Sequence, residues 1–221
     1  MLHCPCAATS GGASARNGRR ERNSLWSAAV SVGRPVAVAS YRSREADALT
    51  LATALARIRE ARYVMAGPGS PSYALRQWAG GPIPDALAAK LAAGGPGGIV
   101  TMASAAALTV GVVTIPVYEV YKVGEEPHWL EGLDLLRPST GLRAAVVPHY
   151  DNAEGGTHDT RFCYMGERRL RILEAALPDG AFVLGVDSHT ALIMDLESGT
   201  AEIIERAETA LTAPQAVPTQ A

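Results

Sequence analysis

The residues able to do covalent chemistry in this 221-residue chain gather in a few loops. Ser104 puts one hydroxyl into an almost wholly apolar run, IVTMASAAALTVG, at residues 99–111. A serine reacts as a nucleophile when a base lies within hydrogen-bond reach, a further group orients that base, and donors await the developing oxyanion. Three of the five histidines, His149, His158 and His189, stand close in sequence to Asp151, Asp159 and Asp187. His149 is the first choice of base, and His158, in a Gly-rich loop, the second. The stretch GPGSP at 67–71 can bring backbone N–H groups near a reacting carbonyl, because Gly67 and Gly69 carry no side chain. Pro68 has no N–H, so Gly69 is the better donor, paired with the N–H of Ala105. Plainer readings stand beside these: Ser104 as a helix N-cap, and GPGSP as a tight turn with Pro71 in the following helix's first turn. A rival chemistry would use His149, Asp151, His158 and Asp159 as ligands of a metal ion, with Asp187 or His189 completing the set. No HExxH-like spacing supports it. A third reading keeps the fold as a binding protein without catalysis.

Such residues need elements to hold them. PVAVASY (35–41) predicts a strand, and residues 43–62 a helix opening near Ser43 and Glu45. Leu49, Leu51, Leu55 and Ile58 recur there at helical spacing. YVMA (63–66) reads as a strand, YALRQWA (73–79) as a short helix, and residues 84–93 as another, broken by the glycines at 94–98. Gly98 to Met102 is β-branched and predicts a buried strand, while Ala105 to Val110 favours helix. Ser104 therefore falls at a strand-to-helix turn, where a nucleophile elbow would lie. RAAVVPHY (143–150) predicts a strand, DTRFCYMGERRLRILEAAL (159–177) a long amphipathic helix, and AFVLGVD, TALIMDL and TAEIIE three closing strands. The alternation predicts an α/β fold, with a mostly parallel sheet, helices on both faces and antiparallel strands near the C-terminus. In such folds the functional crevice lies beyond the carboxyl ends of the strands, where the loops carrying Gly69, Ser104, His149 and Asp187 fall.

A formal net charge of −2 gives no reason to expect nucleic acid or an anionic membrane as partner. The three cysteines (Cys4, Cys6 and Cys163) have no framework spacing, and the pair in CPC lacks the partners of a zinc site; a reducing cytoplasm is the expected compartment. No apolar stretch reaches the ~18 residues of a spanning helix. Residues 1–33 predict a disordered or atypical leader, 34–208 a single α/β domain, and 209–221 a disordered tail.

The order of four stretches resembles a known family. YVMAGPGSPSYALRQ (63–77), MASAAA (102–107), VPHYDNAEGGTHDTRFCYMGERRLRIL (147–173) and GVDSHTALIMD (185–195) are similar to segments of the serine peptidases grouped with cyanophycinase and alpha-aspartyl dipeptidase (dipeptidase E). The likeness spans about residues 45–205. It implies a class I glutamine amidotransferase-like three-layer sandwich and hydrolysis of short or aspartyl-containing peptides without a cofactor. It also implies Ser104 as nucleophile, His149 as base, and Gly69 with Ala105 lining the oxyanion hole. For the orienting acid it offers Glu119 first, about fifteen residues past the nucleophile, and Asp187 second. His158 and Arg161 would face the substrate, Arg161 against a carboxylate; the plainer role for Arg161 is an ion pair with Asp159 or Glu167. A small peptide is the expected partner, and a homodimer is left open. Met102, Ala106 and Ser188 depart from the family pattern.

Overall fold

The computed structural model describes residues 35–92, 97–205 and 215–217. The expected leader at 1–33, residues 93–96 and most of the expected tail lie outside the described residues.

Helix α1 (Ala48–Glu60) starts at Asp47, whose carboxylate accepts from the Thr50 N–H at 2.8 Å. The cap is thus four residues later than Ser43, whose hydroxyl serves the Glu45 N–H in a preceding turn. Residues 35–41, expected as a strand, contain a single bridging residue, Ala39. Ala39 and Tyr41 are nonetheless buried, so the alternation marks a covered segment rather than a ladder.

Strand β1 (Tyr63–Ala66) pairs in parallel with β2 (Ile99–Met102), Ala66 opposite Met102. Between them run α2 (Pro71–Trp78), capped by Ser70, and α3 (Pro82–Leu91); both carry proline in the first turn, where no N–H is needed. Lys90 on α3 is buried, and its ammonium donates to the carbonyls of Arg59, Ala61 and Gly97. It thereby ties the end of α1 to the approach of β2.

The short helix α4 (Ala105–Thr109) is buried at every residue. Ala105, Ala106 and Ala107 belong to one core with Ala66, Trp78, Ile83 and Leu87. Leu108 belongs to a second core with Ile115, Val147, Met165 and Leu173. This one helix therefore joins both cores. Strand β3 (Val113–Thr114) pairs antiparallel with β4 (Leu130–Glu131), with a π-helical turn, Glu119–Val123, between them.

After α5 (Arg137–Thr140), strand β5 (Ala144–Pro148) is buried throughout and pairs in parallel with β6 (Phe182–Val186), Pro148 opposite Val186. Full burial explains its unbroken apolar sequence. The helix expected over 159–177 is only α6 (Gly166–Ala175), because Phe162, Cys163 and Tyr164 all take positive φ. Strands β7 (Thr190–Asp195) and β8 (Thr200–Glu205) form an antiparallel pair, as their turn residues predict. Within the expected tail, β9 (Gln215–Val217) pairs antiparallel with β8.

The chain is thus mixed α/β, with two parallel strand pairs and antiparallel strands toward the C-terminus. Among the described residues the strands hydrogen-bond as four separate sets rather than one continuous sheet. The chain following α4 runs beside β5, where the Val112 N–H donates to the Ala144 carbonyl. A Cβ on Gly111 would lie 2.3 Å from that same carbonyl oxygen.

Candidate active site

The β2–α4 junction turns within one residue. The Ala103 N–H reaches the Ala66 carbonyl at 2.9 Å, and α4 begins at Ala105. Ser104, between them, takes φ 53° and ψ −124°, a conformation that costs an L-residue about 1–3 kcal/mol. The turn is held on both sides: the Ala106 N–H faces the Gly67 carbonyl at 3.3 Å, and the Leu108 N–H the Ser104 carbonyl at 3.2 Å. The Ser104 side chain makes no cap to α4, which removes the plain N-cap role. Met102 packs against the first core, and Ala106 is wholly buried, so neither departure from the family pattern opens the turn.

Past the end of β5, His149 also takes positive φ, 52°. Its Nε2 lies 3.2 Å from Ser104 Oγ, across 45 residues of sequence. The backbone around this histidine is clasped by the left-handed segment. Cys163 N–H donates to the His149 carbonyl at 3.2 Å and Phe162 N–H to the Tyr150 carbonyl at 2.9 Å. The Tyr150 N–H donates in turn to the Val186 carbonyl at 3.2 Å, binding the loop to β6.

The two acids considered for the base lie apart. Asp187 directly follows β6, and the pairing of Pro148 with Val186 brings it to the same strand ends as His149. Burial raises its carboxyl pKa, with Asp151 and then Glu205 adding like charge. Asp151 shifts the other way, lowered chiefly by the Ser188 N–H, which it accepts at 2.6 Å. Glu119 opens the π-helical turn, and its Oε1 accepts from Ser72 Oγ at 2.5 Å. Among the described residues, neither Asp187 nor Glu119 is hydrogen-bonded to the His149 ring.

Ala105 directly follows the serine, and the bond from the Ala106 N–H to the Gly67 carbonyl brings the first residue of the 67–71 turn to the start of α4. As the first residue of α4, Ala105 has an N–H that the helix itself leaves without an acceptor. His158 is exposed, and its backbone N–H closes a turn on Gly155. The Arg161 guanidinium makes two hydrogen bonds to Asp159, each 2.9 Å, and reaches Glu167 at 3.5 Å. That ion pair is its plainer role, and it holds the Asp159 carboxyl well below the usual carboxylate range. Among the described residues, no three His, Cys, Asp or Glu side chains gather as they would around a metal ion, so the rival ligand set is not assembled.

Two features escaped sequence reasoning: the left-handed clasp, and the chain of hydroxyls Ser70–Ser72 leading to Glu119. The serines of GSPS were the signal for the second.

No protein-family model matches the chain, and no curated protein matches it in sequence. The crystal structure of a peptidase from an acI-B1 Actinobacterium superposes with a TM-score of 0.59 at 17% identity, covering 98% of this chain and 80% of that one. The chain shares the fold of a solved peptidase. A Listeria monocytogenes EGD-e protein with a peptidase E designation superposes with a TM-score of 0.49 at 13% identity, covering 99% of this chain and 85% of that chain. Among the described residues, no helix is long and apolar enough to cross a membrane.

Proposed function

We propose that this chain is a serine-type peptidase or amide hydrolase of the dipeptidase E and cyanophycinase kind, acting on short or aspartyl-containing peptides. The observation that carries the reading is the 3.2 Å approach of His149 Nε2 to Ser104 Oγ at a backbone-strained elbow. The peptidase fold of the actinobacterial structure adds to it.

The chemistry follows from those atoms. Ser104 Oγ attacks the scissile carbonyl carbon as its proton passes to His149 Nε2. The carbonyl oxygen becomes an oxyanion and receives the N–H groups of Gly69 and Ala105. As the C–N bond breaks, His149 returns the proton to the leaving amine, leaving an ester on Ser104. Water, deprotonated by the same imidazole, then cleaves that ester and restores the hydroxyl. For Nε2 to accept, Nδ1 must carry the other proton and needs an acceptor. We assign that part to Asp187, on the strength of the β5–β6 register.

A fluorophosphonate probe tests the reading. Labelling at Ser104, lost in Ser104→Ala and His149→Ala and indifferent to EDTA, is the expected result. Absence of labelling in the folded wild-type protein, or labelling that survives Ser104→Ala, overturns it.

A further inference from the structure

We propose that Glu119 is a positioning residue for the oxyanion-binding turn, aligning Gly67–Ser70 through Ser72 rather than orienting the His149 imidazole. The inference rests on the serine hydrolase reading above.

Its basis is a directed chain of hydrogen bonds. An ionised carboxylate only accepts, so Ser72 must donate its hydroxyl hydrogen to Glu119 Oε1 across 2.5 Å, a charge-assisted bond. With that hydrogen committed, Ser72 Oγ can only accept from Ser70 Oγ, 3.0 Å away. Ser70 Oγ then receives the Tyr73 N–H at 3.2 Å as the cap of α2. One carboxylate therefore fixes the hydrogen direction of two buried hydroxyls and the first turn of α2. Ser70 immediately follows Gly69, the proposed oxyanion donor, and Ser72 lies two residues further on.

The other end of the turn is tied independently. Gly67 accepts the Ala106 N–H from the elbow helix. The turn is thus stretched between the elbow on one side and Glu119 on the other, and Gly69 lies between the two anchors. Glu119 itself is fixed by backbone on both sides, because Val120 N–H bonds to the Pro116 carbonyl and Glu125 N–H to the Glu119 carbonyl. Arg76 Nη1 stands 3.9 Å from Oε1. Its Oε2 is buried and, among the described residues, has no hydrogen-bond partner. The geometry thus favours Oε1 as the atom that acts, and it acts on Ser72.

The proposal predicts that Ser72→Ala and Glu119→Gln weaken the same step. An oxyanion donor held out of line costs rate rather than ground-state binding. Each variant should lower the maximal labelling rate of the fluorophosphonate by about tenfold to a hundredfold, leaving its half-saturating concentration within a factor of a few. The double variant should label no more slowly than the worse single one, since both changes cut one chain. Ser72→Thr, which restores a hydroxyl, should recover most of the rate. Labelling is read on intact protein below each variant's melting midpoint, with the midpoint recorded.

The overturning results are equally definite. Wild-type rates in Ser72→Ala would sink the proposal, as would multiplying losses in the double variant. A fall that tracks only the drop in melting temperature, with no recovery in Ser72→Thr, would sink it too. If wild-type protein does not label at Ser104, the hydrolase reading fails first and takes this inference with it.

Discussion

At the scale of single residues, His149 and Ser104 share an unusual feature: both occupy positive φ just past parallel strands, β5 buried throughout and β2 half-buried with Ile99 exposed rather than the buried strand its sequence predicts. Backbone strain of this kind persists only where surrounding bonds over-determine it. Asp187, argued to orient the imidazole, has a pKa raised first by burial and then by Asp151. Activity should accordingly fall as pH drops through that raised value, at a higher pH than an ordinary carboxylate would dictate. Asp187→Asn should cost about a hundredfold or more in labelling rate, and a pH series on both proteins checks it. An acid limb unchanged in Asp187→Asn would remove Asp187 from the role. Cys163 is a simpler case. Burial pushes its thiol up to about 12, so it should resist iodoacetamide at pH 8 until the protein unfolds. Peptide mapping distinguishes it from Cys4 and Cys6. The linkage runs in the matching direction: folding favours the protonated thiol, a contribution present below the ordinary value of 9.0 and lost as pH rises toward about 12.

At the scale of elements, two contacts set the strand ends. Lys90 joins α1, α3 and the start of β2 through three carbonyls. Lys90→Met keeps the length of the stem but leaves those carbonyls without their donor, and should cost about 2–3 kcal/mol in urea unfolding. Gly185 on β6 lies against the Tyr150 ring, where an added Cβ would come within 2.5 Å of Cδ2. Gly185→Ala should destabilise by about 1–3 kcal/mol and disturb the backbone next to His149, visible as a slower labelling rate. The elbow was legible in sequence because β-branched residues give way to alanines within two positions of Ser104. The strand through Val146 and Val147 was legible because a buried parallel strand needs no polar alternation. The break in the helix expected over 159–177 was not. Side-chain periodicity continues through Phe162 and Cys163, whereas the decision is made by their N–H groups, which find the carbonyls of Tyr150 and His149. The same limit hid Glu119: its spacing from Ser104 suggested an acid for the base, and only the packing of the π-helical turn against α2 reveals Ser72 as its partner.

At the scale of the whole molecule, the two cores meet at α4, so the stability of either bears on the elbow. Strong acid should reach the ion pairs that lie beside α6. Asp159 accepts from Arg161 and from the Glu167 N–H, and its carboxyl is strongly depressed by them. A depressed folded pKa contributes stability above the ordinary value of 3.8, and that contribution disappears as pH falls through the folded one. The melting temperatures of wild type and Asp159→Asn should therefore differ at pH 6 and converge in strong acid; a gap independent of pH would contradict the assignment. The clasp of Phe162–Tyr164 has a wider consequence. It grips the loop bearing the imidazole through peptide N–H groups, so the side chains there are released from that duty. Packing still limits size and polarity at Phe162 and Cys163, which are buried in the second core, so the demands of the backbone come on top of those of the core. The substitutions barred are proline, which brings no N–H, and β-branched residues, which resist left-handed backbone.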